Sequence, residues 1–188
     1  GHPIMEDGIL IAGFGGQGVL FTGRLLAEAA LLSGYQVTWY PSYGPEQRGG
    51  TCNCSVVVSN EPIGSPVIDK PDYLLVLNQP SWARFAPHAE EGGYVIYNSD
   101  IVKPGESRTS SHVIPVPATQ LAADAGDERV ANMVLLGALL RIHGQLPIAR
   151  AQESLRTLIS PKYADLLNID LQCIDLGYTF SDKAEPTP

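Results

Sequence analysis

A chain of 188 residues, 44% hydrophobic and 17% charged, has enough apolar material for one domain with a full core, which excludes disordered and collagen-like architectures. A net charge of −8 without any cluster of Lys or Arg argues against a polyanionic partner such as nucleic acid. The three cysteines, Cys52, Cys54 and Cys173, lack C-x-x-C spacing, so this chain alone builds neither a disulfide framework, a zinc knuckle nor an iron–sulfur cage.

Residues 1–4 ahead of Met5 read as an expression remnant, and nothing near the start has signal-peptide character; a cytoplasmic protein is expected. The first informative stretch is Ile9 to Val19. Four apolar, β-prone residues, Ile9 to Ala12, run into a glycine cluster, and Val19 to Leu32 then reads as a helix. Gly13, Gly15 and Gly18 satisfy G-x-G-x-x-G, a strand-to-helix turn whose glycines let the backbone approach a ligand while the helix start offers N–H groups to an anion. The same turn also serves helix-to-strand packing with no ligand. A nicotinamide site of this kind needs an acidic residue on the ribose at the end of the second strand. Gln36 to Tyr40 ends instead in Pro41-Ser42-Tyr43, with no Asp or Glu before Glu46.

The second strand should complete a β-α-β unit with the first. Its following loop, Pro41 to Gly50, holds Glu46 and Arg48 between turn-forming residues, and a purely structural loop needs neither charge. Thr51 to Ser59 is a strand of alternating, β-branched character, with Cys52 and Cys54 on one face; an antiparallel strand here makes the sheet mixed. A short edge segment is expected near Val67-Ile68. Tyr73 to Leu77 has the pattern of a strand buried on both faces, followed by Asn78-Gln79 at its carboxyl end and a short helix over Ser81 to Ala89. Tyr94 to Tyr97, ending at Asn98-Ser99-Asp100, and His112 to Val116 are further strands.

Beyond Ala118 the pattern is helical. Val130 to Ile142 is apolar on nearly every face, which suits a central core helix or, the reading preferred from sequence, a helix with one side at a subunit interface. It is too short and too flanked by charge to span a bilayer. Ile148 to Ile159 is amphipathic, and a last helix runs from Tyr163 to about Leu176, ending before Gly177; residues 181–188 are expected to be a mobile tail. The four histidines are scattered and suit surface or structural roles, and no nucleophile–base constellation or P-loop is present.

Gly13-Phe14-Gly15-Gly16-Gln17-Gly18-Val19, Tyr43 to Thr51, Ile63-Gly64-Ser65-Pro66 and Arg129-Val130-Ala131-Asn132-Met133 together resemble, in order and over nearly the whole chain, the motifs of the gamma subunit of 2-oxoacid:ferredoxin oxidoreductases. The wording Gly-Pro-Glu-Gln-Arg-Gly-Gly-Thr-Cys-Asn-Cys is closer to 2-oxoglutarate or branched-chain members than to pyruvate members. The resemblance implies a three-layer α/β/α subunit with a mixed, mostly parallel sheet. It also implies a complex that decarboxylates a 2-oxo acid, forms an acyl-coenzyme A and reduces ferredoxin. Thiamine diphosphate, magnesium and iron–sulfur clusters would then sit on alpha, beta and ferredoxin-like delta partners. This chain would be inactive alone, would help to shape the coenzyme A site, and in isolation is compatible with a homodimer. The cofactor-binding candidates are Gly13, Gly15, Gly16, Gln17, Gly18, Glu46 and Arg48, with no catalytic residue and no metal ligand assigned. Two rival readings are an independent flavin- or nucleotide-binding oxidoreductase using the same turn, and a non-catalytic assembly subunit whose glycines serve packing only.

Overall fold

The structure is a computed structural model that describes residues 4–42, 51–105 and 109–183. Its elements in chain order are β1 (Glu6–Phe14), α1 (Val19–Leu32), β2 (Gln36–Ser42), β3 (Thr51–Ser59), β4 (Tyr73–Val76), α2 (Gln79–Phe85), β5 (Tyr94–Asn98), β6 (His112–Val116), α3 (Ala118–Ala125), α4 (Ala131–His143), α5 (Ile148–Leu158) and α6 (Ala164–Lys183). The strands form one six-stranded sheet in the order β2-β3-β1-β4-β5-β6. β1, β4, β5 and β6 are parallel neighbours, whereas β3 is antiparallel to both β1 and β2. All strands but β3 therefore point the same way, giving the expected mixed, mostly parallel sheet.

Alternation along β1 divides the core. Ile9 and Ile11 face α1, α3, α4, α5 and α6, while Leu10 faces the opposite side with Trp82 of α2, Ala86 just beyond it, and the second face of β4 and β5. The three layers are thus unequal, with one thick helical layer and one thin one.

β1 and β2 are not neighbours, as a simple β-α-β unit would make them, because β3 lies between them. The reason is burial. β3 is buried from Cys52 to Ser59, while β2 leaves Trp39 and Tyr40 exposed and carries Pro41, which cannot donate to a ladder. The strand with more apolar surface to hide takes the interior position, and the proline-bearing strand takes the edge. Cys52 and Cys54 do share one face, under α1. Val67-Ile68 forms no strand; Pro62, Pro66 and Pro71 punctuate this segment, and Ile68 instead packs its side chain over Gly8 of β1.

α4 lies in the centre of the thick layer, with every residue from Asn132 to Leu140 buried. Both sides are covered within the chain, by the sheet and by α6, so the expected subunit interface on this helix gives way to a core helix. α6 does not end before Gly177 but continues through it to Lys183. Gly137 of α4 faces the Ile174 carbonyl, and Gly177 of α6 faces the Val134 carbonyl, so near that a side chain at either glycine would overlap the other helix's backbone. Here glycine marks a close helix contact rather than a helix end.

Candidate functional site

The carboxyl ends of the parallel strands gather the polar turns on one edge. β1 passes into a 3₁₀ turn over Gly15–Gln17, and Gly18, at φ +74°, turns the chain into α1. That left-handed conformation is one in which other residues are strained. Gln17 holds the turn shut: the Phe14 N–H donates to its Oε1 (2.7 Å), and its Nε2 donates to the Leu77 carbonyl at the end of β4 (2.9 Å). A Cβ on Gly13 would stand 2.7 Å from that Oε1 and 2.8 Å from Leu77 Cβ, so Gly13 is needed for packing. At Gly16 a Cβ would meet nothing within 4 Å. Gly13 and Gly18 thus shape the turn, Gly15 is its first residue, and Gly16 is where it opens outward. The start of α1 leaves its first N–H groups without partners inside the helix.

The segment 127–133 meets this turn from across the chain. Asn132 Nδ2 donates to Thr22 Oγ1 (3.0 Å) and approaches the Gly18 carbonyl (3.5 Å), which also accepts from Thr22 Oγ1 (2.7 Å). Arg129, 85% exposed at its side chain, is clasped by Asp127 through Nε to Oδ1 (3.0 Å) and Nη2 to Oδ2 (2.9 Å). Two clefts flank the junction. One, of about 330 Å³, runs over the sheet edge between Gly16, Gln17, Asn98, Thr119, Glu128 and Arg129. The other, of about 450 Å³, lies on the helical side between Gly16, Gly18, Arg129, Asn132, Leu166 and Asp170. Sequence reasoning quoted Arg129 to Met133 as a motif without assigning it to the site. A lone amide flanking the apolar run from Met133 to Leu140 was the signal that Asn132 has a specific partner.

Glu46 and Arg48 lie outside the described residues. The ends of their loop are fixed, however, because Thr51 pairs with Phe14 and Ser42 with Asn53 at the same carboxyl edge. The amides at the other strand ends serve the backbone: Asn78 Oδ1 caps α2 through the Ser81 N–H (2.8 Å), and Asn98 Oδ1 accepts from the Ala118 N–H (3.2 Å). Gln79 exchanges two hydrogen bonds with the Lys103 backbone.

The donor set suits no iron–sulfur cluster among the described residues. Cys52, Cys54 and Cys173 are buried as free thiols, and desolvation pushes Cys54 and Cys173 up to about 12, so both stay protonated and pack as small apolar groups. His143 is structural. Its ring nitrogen Nε2 sits 2.7 Å from Asp7 Oδ2 and its Nδ1 accepts from the Gln145 N–H (3.3 Å), tying α4 to β1 at the opposite edge of the sheet.

Asp170 lies in the helical-side cleft with its carboxyl well above the ordinary range. Desolvation first, and then the charge of Asp127, raise its carboxyl to about 6. A raised folded value means that the folded chain holds this proton more tightly than the unfolded chain does. Stability from this group is thus complete below the ordinary value of 3.8 and is lost as pH rises through about 6. Asp170→Asn should therefore stabilise the chain at pH 8 by up to about 3 kcal/mol and leave it unchanged near pH 3, as read from urea unfolding at both pH values.

The sequence profile of the pyruvate ferredoxin/flavodoxin oxidoreductase family matches residues 8–180. The chain belongs to this family. It is 41% identical over 180 residues to the ketoisovalerate oxidoreductase subunit VorA of Methanothermobacter marburgensis, an alignment covering 95% of this chain and 37% of VorA. It is 36% identical over 165 residues to the 2-oxoglutarate synthase subunit KorC of the same organism, covering 84% of this chain and 88% of KorC. The chain thus spans a little over a third of the length of VorA and most of KorC. Among solved structures, the gamma subunit of a keto/oxoacid ferredoxin oxidoreductase from Geobacter sulfurreducens superposes with a TM-score of 0.82 at 26% identity, covering 95% of this chain and 99% of that one. The fold is also that of a 2-oxoglutarate:ferredoxin oxidoreductase from Magnetococcus marinus, with a TM-score of 0.86 at 24% identity over 97% of this chain and 32% of that chain. No helix among the described residues of this family member is long and apolar enough to cross a membrane.

Proposed function

We propose that the chain is the gamma component of a 2-oxoacid:ferredoxin oxidoreductase and lends its glycine turn to the coenzyme A site of the assembled complex. The observation that carries this reading is the opening at Gly16, where the start of α1 and the cleft beside Arg129 and Asn132 meet with free space above the backbone. N–H groups at a helix start suit a phosphate, and the cleft beside them lies along the sheet edge. Thiamine diphosphate, magnesium and the clusters belong, in this proposal, to alpha, beta and delta partners, with ferredoxin taking the electrons. Bound thiamine diphosphate would supply the carbanion chemistry of decarboxylation. The residues of this chain would position the acyl acceptor and exclude water. Glu46 and Arg48, on a loop anchored at the same edge, join the proposal as candidate partners of an anionic group.

Gly16→Val separates this reading from a packing role, because a Cβ added at Gly16 meets nothing within 4 Å in the fold. In the complex reconstituted with its co-expressed partners, the variant should keep its thermal stability. Its apparent KM for coenzyme A should rise roughly ten- to a hundredfold, the equivalent of about 1.5–3 kcal/mol for lost hydrogen bonds to a charged group. An unchanged KM would withdraw the turn from the coenzyme A site. Assays with 2-oxoglutarate and with 2-oxoisovalerate, the substrates suggested by the two relatives' names, decide the acid.

A further inference from the structure

We propose that the cleft between the start of α1, the 127–133 segment and α6 is a socket for a lysine or arginine side chain of a partner subunit, with Asp170 as its buried counter-ion. The inference rests on the reading of this chain as one component of a complex. Asp170 is 5% exposed, lines the cleft of about 450 Å³, and has no hydrogen-bonding or ion-pair partner among the described residues. A carboxylate held in this way is costly unless a cation meets it. The cation on the same wall is already committed, since Arg129 is clasped at two points by Asp127. Lys162, just before α6, lies over the Tyr163 ring at 5.0 Å. The ionic groups of the cleft are therefore Asp127, Arg129 and Asp170, which leave one negative charge unmatched.

The walls define the shape of the guest. Phe21, Met133, Ile159 and Leu166 give an apolar sleeve of the kind that long cationic side chains cover with their methylene stems. The rim extends beyond what a small free amine would cover. Leu166, on the cleft wall, is 42% exposed, and Tyr163, three residues earlier, is 52% exposed, so apolar surface lies beside the carboxylate. Exposed apolar side chains beside a carboxylate held largely out of water suit a protein contact.

Proton linkage follows. α1, α4 and the end of α5 present Gly18, Phe21, Asn132, Met133 and Ile159 to Asp170, none of them ionisable. Asp127 and Arg129 face it from the 127–133 segment, and on α6 itself the neighbouring Cys173 stays protonated. An arriving cation would return the Asp170 carboxyl from about 6 toward its ordinary range, so association releases a proton and tightens as pH rises through about 6.

The test measures the dissociation constant between this chain and the remaining subunits of its complex at pH 5.5 and 7.5, for the parent and for Asp170→Asn and Asp170→Leu, with thermal unfolding of each. The parent should bind about fourfold more tightly at pH 7.5 than at 5.5, the ratio that a carboxyl returned from about 6 to 3.8 gives over this interval. Both variants should fold, bind about tenfold or more weakly at pH 7.5, and lose the pH dependence. Equal affinity of Asp170→Asn and parent at pH 7.5 overturns the socket while leaving the proposed function intact; no association by the parent overturns both. A parallel titration of the chain with n-butylguanidinium, followed by the Asp170 carboxyl ¹³C shift, addresses the source of the cation. A shift on adding the probe, combined with unaltered assembly of the variants, assigns the cleft to a free cation and overturns the partner.

Discussion

Gly177→Ala is expected to destabilise the chain by about 2–3 kcal/mol, although alanine favours a helix over glycine by about 1 kcal/mol. The two effects oppose each other, and the magnitudes decide. Within α6 the new methyl group would reduce the entropy of the unfolded chain. Across the interface it would overlap the Val134 carbonyl of α4, a backbone atom that cannot rotate away. The helices must separate, and the layer they occupy includes Met133, Leu135, Leu136 and Leu139, all among the largest fully buried side chains. Separation there loosens contacts at close-packed density, a cost that grows with every displaced neighbour. Gly177→Val should be worse, and Gly137→Ala comparable, because Gly137 meets the Ile174 carbonyl in the same manner. Urea unfolding followed by circular dichroism measures these differences. A Gly177→Ala chain as stable as the parent would mean that α4 and α6 lie further apart than described.

Gly18→Ala should cost about 2–4 kcal/mol through two separate effects. The positive φ of +74° imposes roughly 1–2 kcal/mol on any residue with a Cβ. The added atom would also stand 2.5 Å from Asn132 Nδ2, displacing the amide that donates to Thr22 Oγ1. Loss of that buried hydrogen bond adds about 1–2 kcal/mol. A double-mutant cycle separates the contributions. Asn132→Ala should cost about 1–3 kcal/mol alone, and the double variant Gly18→Ala/Asn132→Ala should lose less than the sum, since the collision is gone. Strict additivity would show that only the backbone strain matters. This outcome also qualifies the glycine motif: Gly13 and Gly18 are required for packing, and Gly16 is the position at which a ligand effect is separable from folding.

Local pattern was enough for the elements that depend on near neighbours. The strand at Ile9 to Ala12, the turn and the helix to Leu32 were legible because a β-prone apolar run, a glycine cluster and a helical period follow one another within the chain, although β1 extends further, from Glu6 to Phe14. β4 was legible from its continuous apolar run, and the mixed sheet from the character of β3. Four ordered motifs carried the family, which the profile match over residues 8–180 bears out.

Other features depended on residues far apart. The position of β3 between β1 and β2 is a competition for burial among whole strands, which no single window reveals. Gly177 reads locally as a helix stop, and only the backbone of α4 beside it explains why the helix continues. Likewise Asn132 reaches Gly18 across 114 positions of sequence, and Asp170 enters the same neighbourhood from α6. Amino-acid order by itself determined the local conformations and the family, because propensity and periodicity act over a few residues. The tertiary structure alone decided strand order, the glycine-lined helix contact and the unmatched carboxylate beside the glycine turn, because burial and charge balance are properties of distant groups brought together.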